Sequence, residues 1–124
     1  MLNADKLLKK GIAQVIEAGI TPGNINPKVI VNGRAKRRFG KCVKVPYSKY
    51  DYEIEINAQL LHTEEKKALN TVVHEILHTC AGCMNHGNIW QRYARIMNRK
   101  FGYDISCTST YEAIGLERPK AKYV

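Results

Sequence analysis

Inside the apolar run Thr71-Val72-Val73-His74-Glu75-Ile76-Leu77-His78 lies the pattern H-E-x-x-H. It asks for a helix, because side chains at i and i+4 stand one turn apart on a common face, where His74 and His78 can reach a single metal ion. Glu75, next to the first ligand, is then placed to hold a water rather than the metal. His86 follows with Gly87 behind it, so three of the four histidines fall within thirteen residues. Catalytic zinc sites use three protein ligands and leave the fourth position to water, whose pKa falls to about 7 on the ion. The pattern reads as a zinc hydrolase with one zinc per chain, ligands His74, His78 and His86. Glu75 is its general base and proton shuttle to a leaving amine.

The flanking sequence supplies the scaffold. Leu7, Leu8, Ile12, Val15 and Ile16 recur at helical spacing and predict a first helix over about residues 3 to 18, stopped near Gly19 and Pro22. Short β-branched stretches at Lys28 to Asn32 and Arg37 to Val45, and the alternation Tyr52-Glu53-Ile54-Glu55-Ile56, predict three strands. An antiparallel sheet is expected, with Asp51 to Ile56 as an edge strand available to pair with an extended substrate. Thr63 is the expected N-cap of the metal helix, which should run from about 64 to 81 and stop at Gly82. A supporting helix is expected over Asn88 to Phe101. It would bury Ile89, Trp90, Tyr93, Ile96, Met97 and Phe101 and turn Arg92, Arg95 and Arg99 to the opposite side. From Gly102 onward no periodicity appears.

At 124 residues and 14.1 kDa the chain is expected to be one α+β domain, residues 1–124, with residues 104–124 an irregular tail. No run of eighteen apolar residues is present, and the N-terminus lacks the apolar core of a signal peptide. A cytoplasmic protein with no membrane partner is therefore expected, with Cys42, Cys80, Cys83 and Cys107 as reduced thiols. One C-x-x-C pair, Cys80 and Cys83, is too little for a second zinc site, and Cys80 falls on the apolar stripe of the metal helix. His62 reads as a surface residue and Trp90 and Tyr93 as core.

Twenty Lys plus Arg against eleven Asp plus Glu give a net charge of +9. Such an excess on a small domain points to a polyanion, most often nucleic acid. Residues 34 to 44 carry Arg34, Lys36, Arg37, Arg38, Lys41 and Lys44 with no acid among them. Nucleic acid, with DNA single-stranded or duplex as the first candidate, is the expected partner of Arg34, Lys36, Arg37, Arg38 and Lys41, extended by Arg92, Arg95 and Arg99; of Tyr47, Tyr50 and Tyr52, the first two are expected to offer base stacking and Tyr52 to pack.

Taken in order, Arg34-Ala35-Lys36-Arg37-Arg38-Phe39-Gly40-Lys41-Cys42, Tyr52-Glu53-Ile54-Glu55-Ile56-Asn57, the H-E-x-x-H segment and His86-Gly87-Asn88-Ile89-Trp90 resemble the SprT-like (Spartan-type) metalloproteases. The resemblance covers residues 3 to 103 and implies a small zincin-like domain, peptide-bond hydrolysis, and action on proteins crosslinked to DNA. It makes His74, His78 and His86 the zinc ligands and Glu75 the catalytic acid. Many members continue into a zinc ribbon, and Pro119-Lys120-Ala121-Lys122-Tyr123-Val124 looks like its lead-in. Two other readings stay open: a zinc-dependent single-strand endoribonuclease, and a non-catalytic zinc-stabilised nucleic-acid-binding domain. The first expects five residues before its third histidine, where seven separate His78 from His86. The second does not require the intact Glu75.

Overall fold

A computed structural model of the chain describes residues 1–34 and 38–107. Lys36, Arg37 and the tail from residue 108, including the ribbon lead-in, lie outside the described residues. Helix α1 spans Ala4–Glu17, strands β1, β2 and β3 span Ile30–Asn32, Gly40–Lys44 and Tyr52–Asn57, and a 3-10 turn covers Ala58–His62. Helix α2 spans Glu65–Leu77 and α3 spans Asn88–Phe101. The expected α+β architecture of three helices and a three-stranded sheet is present. No helix is long and apolar enough to cross a membrane among the described residues.

The sheet differs from expectation in two respects. Its order is β1-β3-β2, so β3 is the central strand and not an edge. Furthermore, β1 runs parallel to β3, with Val31 opposite Ile56, while β2 runs antiparallel, with Lys41 opposite Glu55 and Gly40 opposite Ile56. The short hairpin from Lys44 to Tyr52 fills one edge of β3, and β1 must then take the other. Ile54 and Ile56, fully buried, put the inner face of this central strand against the helices.

Helix α2 is buried on nearly every side. From Thr71 to Leu77 no residue reaches the surface, because α1, the sheet and α3 each cover a part of it. At Gly11 the α1 backbone comes so close that an added Cβ would lie 2.7 Å from Ile76 Cδ1. Only glycine permits that approach without displacing the core.

Both ends of α2 depart from the sequence reading. Its N-cap is Glu64, with no side-chain capping bond, while the Thr63 hydroxyl donates to the Leu60 carbonyl at 2.8 Å and closes the preceding 3-10 turn. The helix ends at Leu77 rather than near 81. His78 is its C-cap, and His78, Thr79 and Cys80 donate their N–H groups three residues back, to Glu75, Ile76 and Leu77. The tightening begins after the second histidine has been placed, so the one-turn spacing from His74 survives.

On α3 the buried residues are Trp90, Ala94 and Met97. Ile89, expected in that face, is 46% exposed because it lies about 100° around the helix from Trp90. Beyond Gly102 the chain is irregular yet anchored. Tyr103 and Ile105 are buried, Ile105 exchanges two hydrogen bonds with the Asn98 side chain, and the Asp104 amide donates to Asn70 Oδ1.

Candidate metal centre

His74 and His78 project from the end of α2, and His86 comes from the loop that leads into α3. One ring nitrogen from each lies within 4.8 Å of the others, and the His74 and His86 Nε2 atoms are 3.2 Å apart. All three imidazoles are held below the usual histidine range. Burial, then His78 and His86, push His74 down to about 3. Burial also lowers His78 and His86. Neutral rings keep a lone pair each. The Cys83 carbonyl accepts from His78 Nδ1 at 2.8 Å, which fixes the tautomer and leaves the Nε2 lone pair of that ring available to a metal.

These observations test the fit to zinc. Two nitrogens bound at about 2.0–2.1 Å to one tetrahedral ion lie roughly 3.3 Å apart, close to the His74–His86 separation. Three neutral imidazoles with no thiolate are the donor set of open zinc sites. The residues present fit the ion.

Glu75 turns into the same cleft, its Oε2 3.8 Å from His74 Nε2. Burial pushes its carboxyl up to about 8, against the opposing pull of Arg38. The cleft, about 300 Å³, is closed on the far side by β2. There Gly40 brings bare backbone against Thr71 and Glu75. A larger groove of about 580 Å³ lies under α1, lined by Leu8, Ile12 and Ile25; its acid, Asp5, accepts from the Val29 amide. No cluster of possible metal ligands is found there among the described residues.

Trp90 carries more of the site than the sequence shows. It is core, as expected, at 1% exposure, and its ring also packs on His74, His78 and His86 at centroid distances of 4.8, 5.5 and 4.6 Å. Gln91 donates to the His86 carbonyl at 2.8 Å and steadies the third histidine. The spacing His86-x-x-x-Trp90 was the available signal for the first contact; the Gln91 bond had none. Cys80 and Cys83 are buried, and burial raises both thiols, Cys80 to about 12. The contribution of Cys83 is its carbonyl. His62 is exposed.

The basic segment is less free than its composition implies. Arg34 and Lys41 are exposed, but Arg38 pairs with Glu55 at 3.1 Å, and Lys41 stands opposite the same carboxylate across the ladder. Arg38 and Lys41 also line the cleft. The fold thus brings an acid into a stretch that has none in sequence. At the β2–β3 hairpin, Tyr47 is fully exposed with a φ of 59°, whereas Tyr52 packs against the core.

A small α+β domain with three converging imidazoles and a carboxyl beside them has the side chains to hold a metal ion. The chain belongs to the SprT-like family, whose model matches residues 12–111. Comparison with curated proteins gives no match, and neither does comparison with solved structures.

Proposed function

We propose that this chain is a zinc-dependent endopeptidase of SprT-like type that acts on unfolded or DNA-associated protein. The observation that carries the reading is the buried carboxyl of Glu75, held 3.8 Å from His74 Nε2 beside three neutral imidazoles. His74, His78 and His86 would hold the ion. Zinc bound there would supply Lewis-acid polarisation of the scissile carbonyl and lower the pKa of water toward neutrality.

Glu75 takes a proton from the attacking water and returns it to the departing amine. A single carboxyl beside the water serves both halves, since it can accept a proton and give it back. With β3 in the centre of the sheet, the edge strand beside the cleft is β2, and its backbone is the surface on which an extended peptide would add. Nucleic acid, single-stranded DNA in particular, is the proposed partner. The +9 charge supports this, and tethering enzyme and crosslinked protein to one strand raises their effective concentration.

The test compares zinc-loaded wild type with Glu75→Gln on an unfolded protein and on single-stranded RNA. Glu75-dependent proteolysis is the expected result. Glu75-dependent RNA cleavage with no proteolysis would transfer the site to the ribonuclease reading, and no hydrolysis of either would leave a zinc-stabilised binding domain.

A further inference from the structure

Helix α3 starts at the metal centre, where Trp90 packs on all three histidines, and runs away from it for 14 residues without one acidic side chain. Its buried residues, Trp90, Ala94 and Met97, define one face. At 100° per residue, Arg92, Arg95 and Arg99 lie within a sector of about 60° centred roughly opposite that face. All three are exposed. Lys100, off this sector, pairs with Glu17 at 3.8 Å, whereas Arg92, Arg95 and Arg99 form no ion pair among the described residues. The three arginines span about 10.5 Å of helix axis, at a rise of 1.5 Å per residue. Over such a length a nucleic-acid strand presents several phosphates.

From this we infer that the arginine face of α3 is a docking track for a nucleic-acid backbone, with Arg92, Arg95 and Arg99 each taking a phosphate. The inference deepens the nucleic-acid part of the proposed function and rests on it. The chemistry recognised is a run of phosphodiesters. An anionic membrane fits less well, because a helix lying on lipid needs an apolar flank beside its cations. On α3 the arginines are flanked by Gln91 and Asn98 on one side and by half-buried Ile96 and by Ile89 on the other, so the apolar flank is one-sided and Ile89 is its one well-exposed large side chain.

The experiment measures binding of the full chain, zinc-loaded, to a fluorescent 30-nucleotide poly-dT, its oligo-U counterpart and a mixed-sequence DNA duplex, across a salt series. The triple variant R92Q/R95Q/R99Q is compared with K6Q/K9Q/K28Q, which removes the same charge from the α1 side. The arginine variant is expected to bind poly-dT about 100-fold more weakly near 0.1 M salt. Its log–log salt slope should be shallower by roughly 2, at about 0.7 per phosphate on single strands. The lysine variant is expected to stay within about fivefold of wild type. The three oligonucleotide arms decide which nucleic acid the track prefers. Equal losses in both variants, or no loss in the arginine variant, overturn the track while leaving nucleic-acid binding itself in place. Absence of binding by wild type overturns the nucleic-acid reading as well, whereas the peptidase reading is judged separately by Glu75-dependent proteolysis. Arginine-dependent binding to phosphatidylserine vesicles without oligonucleotide binding assigns the face to a membrane and overturns the inference. Unchanged zinc content and melting temperature in both variants exclude misfolding as the cause.

Discussion

Gly40 on β2 and Glu75 on α2 meet so closely that a single methyl group does not fit between them: a Cβ at position 40 would lie 2.9 Å from Glu75 Cγ and 3.1 Å from Oε2. The strand therefore sets where the carboxyl can sit. Gly40→Ala should push Glu75 and Thr71 aside, at a cost of about 1–3 kcal/mol in stability for overpacking. A carboxyl misplaced by an ångström loses on the order of 100-fold in rate. Zinc content should be kept, since the three atoms nearest the new methyl group belong to Glu75 and Thr71 and not to a histidine. The check is proteolysis and metal content measured on the same sample; full activity in Gly40→Ala would show that Glu75 tolerates displacement.

Removing a ligand should separate binding from chemistry. His86→Ala takes one of three imidazoles and should lower zinc affinity sharply, whereas Glu75→Gln should retain one zinc per chain and lose activity. Metal analysis after dialysis decides this, and zinc retained by His86→Ala but lost from Glu75→Gln would reverse the assignment. A chelator should also lower the melting temperature of wild type, because zinc that binds only the folded chain adds about 2.7 kcal/mol at a hundredfold excess over its Kd.

Trp90 is the only tryptophan, and its ring touches all three histidines. Its emission should therefore change when zinc is titrated into the metal-free protein, saturating at one equivalent. In His86→Ala the change should be weakened and shifted to higher zinc concentration. An emission spectrum indifferent to zinc would place the ion elsewhere.

Acid should release a second, remote carboxylate. Burial alone would raise Glu55, but hydrogen bonds from Asn32 at 3.2 Å and Arg38 at 3.1 Å hold it below the usual carboxylate range. A lowered pKa means that its contribution is complete above the unfolded value of about 4.3 and is lost as pH falls through the folded one. Glu55→Gln should therefore cost up to about 1 kcal/mol at pH 7, the range of a partly exposed pair, and cost progressively less below pH 4. Urea midpoints at the two pH values measure it; an equal loss at both would mean that the pairing is not what Glu55 supplies.

What could be seen in the sequence was whatever depends on local spacing. The helix carrying His74 and His78, the third histidine, and the alternation at Tyr52 to Ile56 each follow from a period that a linear chain displays. The parallel pairing of β1 with β3 could not be seen, since a strand of three residues with Ile30 and Val31 exposed encodes little about its partner. The same holds for Glu55, which lies outside the basic stretch in sequence and beside it in space. His78's partner was hidden for another reason: it is the backbone carbonyl of Cys83, which any residue would supply. The early end of α2 belongs to this group too, because it depends on how Thr79 and Cys80 turn toward the loop. Trp90 was legible as core but not as the wall of the site, since apolar periodicity is the same in either role.

Because α2 is enclosed by α1, the sheet and α3, the residues that would hold the metal are also the central beam of the domain. A change near His74 or Glu75 is felt by Ile76 and its fit against Gly11, so this wall of the cleft has almost no freedom to vary. Across the cleft, Gly40 is bound by the same fit, but the exposed side chains of Lys41 and Met84 have no such obligation. Divergence among chains built this way should therefore collect on one side of the cleft, where new specificities can be tried without rebuilding the interior.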